Sequence, residues 1–199
     1  MASRTRQPQV RIATGDFAGR RLAAAAAPTR PATARMRESI FNRPDVLAVV
    51  TGRVLDLYAG SGLLGLEALS NGAQSVDFVE RDRGACDVIR RNLETLDCTA
   101  RARVLCVPVE SARALEPPYD LCFADPPYPD DATEALIELA EAGLVGERGL
   151  LLWRYLRKRP APPGIADLAQ VEERRYGDGV LGTFVPAAAN ERETMSPGC

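Results

Sequence analysis

The sequence predicts an α/β fold in which helices cover both faces of a mostly parallel, twisted sheet. An antiparallel hairpin ends the sheet, and a small β-hairpin arm precedes it. Three observations predict this fold. Short apolar runs typical of buried strands alternate with segments of helical periodicity. A glycine-rich turn at residues 60–65 links the first such strand to a helix, and two strand-like runs flank Gly177-Asp178-Gly179.

The elements are predicted in chain order from apolar periodicity and turn residues. They are a hairpin over 10–22, a helix over 33–42, strands over 53–58, 75–80, 102–107, 120–124 and 149–155, helices after 62 and over 83–96, 110–115 and 130–142, and hairpin strands over 171–176 and 180–185. Met36, Ile40 and Phe41 share one face of the helix over 33–42. Residues 160–164 are predicted to be a loop and 186–199 a disordered tail.

Charge is unevenly distributed along this chain, whose net charge is −2. Residues 1–43 hold nine arginines and two acidic residues, whereas residues 44–199 are acidic overall. A basic arm on an acidic body is typical of proteins that bind phosphate backbones, although charge alone also suits a solvated segment. We therefore predict a nucleic-acid-binding arm over 1–43 and a ligand-binding domain over 44–185. The helix over 33–42 leaves Arg35 and Arg37 for solvent or a ligand. The candidate nucleic-acid contacts are Arg11, Arg20, Arg21, Arg30, Arg35 and Arg37.

Composition excludes several classes of site. The sequence contains no histidine, which excludes Ser-His-Asp and Cys-His nucleophiles and opposes a catalytic zinc, so no metal is expected. Its five cysteines lack C-x-x-C spacing, which suits a reducing cytosol. No apolar run reaches the length of a membrane span, and no signal peptide opens the chain. A cytoplasmic, monomeric protein without membrane contact is therefore predicted.

The first motif is the glycine-rich turn. Gly60 and Gly62 follow the strand over 53–58 and let a ligand approach the backbone, while the next helix offers free N–H groups at its N-terminus. Glu80 ends the next strand about twenty residues on, where an acid usually holds ribose hydroxyls. The candidate cofactor contacts around this turn are Asp56, Tyr58, Gly60, Ser61, Gly62, Glu80 and Arg81.

The same glycines also satisfy the dinucleotide fingerprint, so a nicotinamide-dependent oxidoreductase is an alternative. Asp56 opposes it, because a carboxylate within the strand suits an ammonium group or a bridging water rather than a pyrophosphate. We also expect no second catalytic domain, which typically needs on the order of 100 residues. S-adenosylmethionine fits better, since it has a ribose for Glu80 and an amino-acid moiety for the region of Asp56.

The second motif is Asp125-Pro126-Pro127-Tyr128, directly after the strand over 120–124. Consecutive prolines stiffen the chain and remove two backbone donors. A carboxylate and a carbonyl held beside an aromatic ring can receive a flat group that bears an NH2, such as a nucleobase. We assign these four residues as catalytic; the alternative is a turn that only ends a strand. Because both motifs follow parallel strands, we expect them to meet at one edge of the sheet.

These motifs resemble those of class I S-adenosylmethionine-dependent methyltransferases, and more narrowly those of bacterial 16S ribosomal RNA guanine-N2 methyltransferases. The resemblance spans residues 10–185. It is carried by residues 11–22 (RIATGDFAGRRL), 30–42 (RPATARMRESIFN), 55–62 (LDLYAGSG), 125–128 (DPPY) and 176–178 (YGD). Of these stretches, residues 30–42 are the most specific to the family.

The resemblance implies a site and a partner. Asp56, Gly60 and Gly62 would hold the methionine part of S-adenosylmethionine, and Glu80 its ribose. The arm would contact 16S rRNA, within an assembled or partly assembled small ribosomal subunit. A DNA adenine-N6 methyltransferase and a non-catalytic RNA-binding assembly factor remain alternatives.

The chain departs from the family pattern at three positions. Family members usually carry Asp at the position of Ala34. They often have an Asp-Ala pattern after the third strand that approaches the adenine amine, where this chain has Glu110-Ser111, so the resemblance makes Glu110 the candidate for this cofactor contact. They commonly have an acid in the fifth strand, where this chain has Arg154. The basic cluster of Arg154, Arg157, Lys158 and Arg159 suits an RNA surface and a solvated loop equally.

Overall fold

The computed structural model of the chain describes residues 9–25, 33–112, 114–127 and 132–189. Two predicted site residues, Arg30 and Tyr128, lie outside these ranges, as do residues 190–199 of the predicted tail.

The elements alternate between strands and helices. The strands are β1 (Gln9–Arg11), β2 (Arg21–Ala23), β3 (Arg53–Leu57), β4 (Ser75–Val79), β5 (Ala102–Leu105), β6 (Tyr119–Ala124), β7 (Val145–Leu156), β8 (Gly164–Ile165), β9 (Leu168–Tyr176) and β10 (Gly179–Pro186). The helices are α1 (Ala34–Phe41), α2 (Pro44–Val49), α3 (Leu63–Ser70), α4 (Arg83–Thr95) and α5 (Thr133–Glu141), with 3₁₀ turns at Thr99–Arg101 and Val109–Ser111.

Eight strands form one sheet in the order β5-β4-β3-β6-β7-β10-β9-β8. The first five are mutually parallel, and the last three continue the sheet in antiparallel pairs. The predicted fold class, a mostly parallel sheet with a C-terminal antiparallel hairpin, is confirmed. The chain runs outward from β3 through β4 to β5 and then returns to the other side of β3 as β6. This reversal opens a crevice between the carboxyl ends of β3 and β6.

Helices cover both faces of the sheet, as predicted. One apolar cluster joins Val54, Phe123 and Leu152 to buried residues of α1, α2, α3 and α4. A second cluster joins Leu55 and Leu151 to buried residues of α5. Neighbouring residues of one strand enter different clusters because side chains alternate between the faces of a sheet.

Several local predictions are wrong, and one helix was missed. The helix predicted over 110–115 is only the 3₁₀ turn at Val109–Ser111, because the backbone at Ala112, with ψ 52°, has already left helical geometry. Strand β7 begins at Val145 rather than at residue 149, and Pro186 belongs to β10 rather than to the tail. Helix α2 was not predicted at all, because six residues are too few to show helical periodicity.

The N-terminal hairpin and α1 pack on the core of the sheet. Strands β1 and β2 pair antiparallel with Val10 opposite Leu22, which confirms the predicted hairpin. Ile12, Leu22 and Phe41 are buried in the same cluster as residues of α3, β3 and β6. The Thr33 side chain caps α1, which begins one residue after the predicted start. The described part of the arm therefore shares its core with the rest of the chain.

A buried carboxylate fastens this arm to α3. Glu67 is fully buried, and it accepts hydrogen bonds from the N–H groups of Ala13 (2.7 Å) and Thr14 (3.0 Å) and from the Thr14 hydroxyl (3.0 Å). Arg37 Nε donates to the same carboxylate at 2.8 Å, and Arg37 Nη2 donates to the Arg11 carbonyl at 2.7 Å. The prediction that Arg37 faces solvent or a ligand is therefore wrong. Its guanidinium is buried because its counter-charge lies inside the core.

We expect Glu67→Ala to lower the free energy of unfolding by about 3–5 kcal/mol, because it removes the counter-charge of the buried Arg37. Urea unfolding measures this change. Glu38→Ala, at an exposed position of α1, is the control and should leave stability nearly unchanged. Equal losses in the two variants would contradict the anchoring role of Glu67.

Candidate active site and the family of the chain

The two sequence motifs lie side by side at the crevice. Strands β3 and β6 are parallel, with Leu57 opposite Ala124. The next residue after β6, Asp125, directs its N–H toward the Leu57 carbonyl at 3.4 Å. The glycine-rich turn leaves β3 at the same edge. The predicted meeting of the two motifs is therefore found in the structure.

Two glycines shape the turn for different reasons. Gly60 and Gly62 have φ values of 56° and 75°, in the left-handed region that favours glycine. A Cβ on Gly62 would lie 2.9 Å from Ile89 Cγ1, so packing requires that position to be small. No atom of the described residues lies within 4 Å of a Cβ placed on Gly60. The backbone at Gly60 therefore borders open space, into which a ligand can enter.

Asp56 holds the turn from beneath. Its side chain is 1% exposed, and Oδ2 accepts a hydrogen bond from the Gly65 N–H at 2.9 Å. Burial raises the pKa of Asp56 well above its usual value, although this hydrogen bond opposes the shift, and the charges of Asp125 and Glu80 raise it further. Three carboxyl groups thus converge on one edge of the sheet, where they favour a cationic ligand.

Glu80 also supports the turn. Its Oε2 accepts a hydrogen bond from the Gly60 N–H at 2.7 Å, and its Oε1 accepts one from the Asp82 N–H at 2.8 Å. Each carboxylate oxygen has a second lone pair, so Glu80 keeps the capacity to accept hydrogen bonds from a ligand.

The other predicted cofactor residues surround this turn. Tyr58 has a left-handed backbone with φ 56°, and Ser61 is 9% exposed. Arg81 is exposed beside Glu80. Glu110 is exposed in the 3₁₀ turn after β5, the strand next to β4.

Asp125 lies against a cation that the sequence did not assign to it. Its Oδ1 is 2.5 Å from Arg154 Nε, and the two side chains are 15% and 13% exposed. Burial raises the pKa of Asp125 to about 6, although the nearby Arg154 guanidinium opposes this shift. The sequence suggests an RNA surface or a solvated loop for Arg154. Both interpretations are wrong, because Arg154 is largely buried against Asp125. Sequence reasoning missed this pair because the two residues are far apart in sequence. The register of the neighbouring strands β6 and β7, in which Ala124 lies opposite Trp153, brings them together.

The predicted nucleic-acid contacts are only partly accessible. Arg11, Arg20, Arg21 and Arg35 are exposed, while Arg37 is the buried partner of Glu67 described above. Arg20 Nη2 also donates a hydrogen bond to the Thr95 carbonyl at 2.8 Å, which fixes the arm to the end of α4.

Among the residues that the structure describes, no group of three or more metal-ligating side chains occurs. In the same residues, no helix has the length and apolar character of a membrane span.

The chain is similar to rRNA methyltransferases. One similar protein is YlbH of Bacillus subtilis (strain 168), whose name describes it provisionally as an rRNA methyltransferase. It is 37% identical to this chain over 174 residues, which are 84% of this chain and 94% of that protein. Ribosomal RNA small subunit methyltransferase D of Escherichia coli (strain K12) is 38% identical over 135 residues, which are 67% of this chain and 67% of that protein. The solved structure of Escherichia coli yhhF, titled provisionally as a methyltransferase, has a TM-score of 0.77 at 30% identity and covers 90% of this chain and 98% of that chain.

The raised pKa of Asp56 predicts a pH dependence of stability. Above about pH 4, the folded chain binds more protons at Asp56 than the unfolded chain does, so stability falls as pH rises toward the folded-state pKa. Asp56→Asn keeps an acceptor for the Gly65 N–H and removes this titration. We expect urea unfolding to show a smaller loss of stability between about pH 4 and pH 8 in Asp56→Asn than in the wild type. Parallel curves would rule out the raised pKa, and Asp87→Asn, at an exposed side chain, is the control.

The match to a described family extends over nearly the whole domain. Residues 10–185 match the family described as Conserved hypothetical protein 95, which is the span over which the sequence motifs were found. The chain therefore belongs to this family. Together with the rRNA methyltransferase relatives, this match confirms the resemblance to bacterial 16S rRNA guanine-N2 methyltransferases, and the chain is an S-adenosylmethionine-dependent methyltransferase.

Proposed function

We propose that this chain transfers the methyl group of S-adenosylmethionine to the exocyclic N2 of one guanine in 16S rRNA. The observation that carries the proposal is the position of Asp125 and Pro126 beside the glycine-rich turn, at the carboxyl ends of adjacent parallel strands. A carboxylate and a carbonyl are the two acceptors that an NH2 group needs. The relative from Escherichia coli, named a small-subunit rRNA methyltransferase, supports the substrate class.

The residues at the crevice fit S-adenosylmethionine, which carries a sulfonium and an ammonium group. Open space at Gly60 admits a ligand against the backbone, and the carboxyl groups nearby complement its positive charge. Asp56, Gly60 and Gly62 would hold the methionine part, and Glu80 the ribose. Further contacts are assigned to Tyr58, Ser61, Arg81 and Glu110. When bound, S-adenosylmethionine supplies an electrophilic methyl group.

Asp125 and Pro126 would then orient the target base. The Asp125 carboxylate accepts one N2 hydrogen and the Pro126 carbonyl accepts the other, which directs the nitrogen lone pair into the crevice. Positive charge that develops on the nitrogen is stabilised by Asp125, and Asp125 or solvent takes the proton that the nitrogen loses. Tyr128, which lies outside the described residues, is proposed to stack on the base once it is unpaired or flipped.

The arm is proposed to bind the RNA and to need further surface. Only Arg11, Arg20, Arg21 and Arg35 of its predicted contacts are exposed in the described residues. An arm of this small size supplies limited affinity, because electrostatic binding grows with the number of phosphates neutralised. We therefore propose that an assembled or partly assembled small subunit, rather than naked RNA, is the substrate. A monomeric state and a cytoplasmic location remain predictions.

The proposal is tested by transfer of labelled methyl to unmethylated small subunits, naked 16S rRNA and duplex DNA. Label in small-subunit RNA that digests to N2-methylguanosine is expected. Label only in DNA would overturn the substrate and keep the chemistry, and preference for naked RNA would overturn the proposed role of the assembled subunit. Absence of label in all three would overturn the proposed function.

We expect Asp125→Ala to lower kcat by about 100-fold or more, because it removes the acceptor that orients the amine and stabilises its charge. Calorimetry should show that S-adenosylmethionine still binds, with its affinity lowered only by the loss of one nearby carboxylate, since the glycine-rich turn stays intact. Asp167→Ala, at an exposed position before β9, is the control. Normal turnover in Asp125→Ala would refute the assignment of the site.

We expect the triple variant Arg11→Gln, Arg21→Gln and Arg35→Gln to weaken binding to small-subunit RNA while leaving S-adenosylmethionine binding unchanged. The slope of log affinity against log salt should fall by about one for each phosphate that the variant no longer neutralises. Arg148→Gln, at the opposite end of β7 from the crevice, is the control for removal of positive charge. An unchanged salt slope would remove these arginines from the RNA surface.

A further inference from the structure

The ion pair between Arg154 and Asp125 is built into the fold. Arg154 Nε and Asp125 Oδ1 are both buried atoms, 2.5 Å apart. The remaining exposure of the Asp125 side chain, 15%, therefore belongs to its other atoms. One carboxylate oxygen faces the guanidinium from within the protein, and this contact restricts the rotation of the carboxyl group.

Strand pairing fixes the Arg154 backbone on both sides. Strand β7 is parallel to β6, with Trp153 opposite Ala124, so Arg154 follows that pair as Asp125 does. On its other side β7 pairs with β10, which places Leu181 opposite Arg154. Arg154 is thus held within the sheet, unlike an arginine of a surface loop, and cannot leave Asp125 without a new side-chain conformation.

The other charged groups around Asp125 do not replace this cation. Strand β3 contributes Asp56, whose carboxyl group interacts with those of Asp125 and Glu80, and none of these groups supplies a positive charge. The buried arginines of the packed helices and their acidic partners are already paired with one another. In α1 and α3 these are Arg37 and Glu67, and at the start of α2 Arg43 pairs with Asp45 and with Glu172 of β9. In the part of the chain that the structure describes, Arg154 is therefore the cation paired with Asp125.

Removal of this cation would change what Asp125 can do. A buried carboxyl next to other carboxyl groups takes up a proton more readily when its counter-ion is removed. A protonated carboxyl donates a hydrogen bond through its O–H, whereas an ionised one only accepts. The proposed orientation of an NH2 group requires an acceptor, so the reaction depends on the ionised form.

We propose, on the basis of the proposed function, that Arg154 is a positioning residue for methyl transfer. It keeps Asp125 an ionised acceptor, holds one carboxylate oxygen, leaves the other for the target amine, and thereby sets the lower pH limit of activity.

The first test follows Asp125 itself in the full chain. Carboxyl 13C NMR, with the resonance assigned by its absence in Asp125→Asn, should show a titration midpoint of about 6 in the wild type. In Arg154→Gln we expect the midpoint to rise by about one pH unit or more. Arg154→Lys should recover part of this rise, and Arg148→Gln, which removes the same charge from the same strand, should cause none. An unchanged midpoint in folded Arg154→Gln would overturn the proposal.

The second test measures methyl transfer to small subunits from about pH 5.5 to pH 9. In Arg154→Gln the acid limb of the profile should move upward with the NMR midpoint, so activity is lower by about fivefold or more near pH 6 and close to that of the wild type near pH 8.5. A uniform loss at every pH would indicate a structural role and overturn the proposal. Inactivity of the wild type on all substrates would instead overturn the proposed function, while the NMR titration would still show whether Arg154 controls Asp125.

Discussion

Strand β3 pairs in parallel with β4 on one side and with β6 on the other. The candidate site depends on this arrangement. Because β4 and β6 flank β3, the turn after β3 lies between Glu80 on one side and Asp125 on the other. The glycine-rich turn and Asp125, which are proposed to hold the cofactor and to receive the base, therefore share one crevice. With either neighbour at another position in the sheet, Glu80 or Asp125 would lie apart from this turn.

Helix α3 connects the N-terminal arm to this crevice. Helix α3 begins at the glycine-rich turn and carries Glu67, which accepts hydrogen bonds from the arm and pairs with Arg37. Asn92 of α4 bonds both backbone groups of Ala23, so the second strand of the hairpin is fastened as well. An RNA surface built on this arm would be held at a defined distance from the proposed catalytic residues, which accurate placement of one base requires.

Electrostatics divides the molecule into two parts with different tasks. The crevice concentrates carboxyl groups, which suits a cationic cofactor and raises the pKa values of Asp56 and Asp125. The arm instead exposes arginines that suit a polyanion. The buried pair of Arg154 with Asp125 places a cation at the same edge of the sheet, where it opposes the effect of burial on the pKa of Asp125.

Local sequence patterns were sufficient to predict the fold class, the hairpin at each end of the chain, most of the helices and the two motifs. These depend on periodicity and turn chemistry, which a single chain displays directly. Tertiary packing was needed to show that Arg37 is buried, that Arg154 contacts Asp125 and that β7 begins at Val145. The partners of both arginines are distant in sequence, and the start of β7 depends on its pairing with β6. Strand register and helix packing bring such residues together, and residue type alone cannot distinguish a solvated arginine from one with a buried counter-ion.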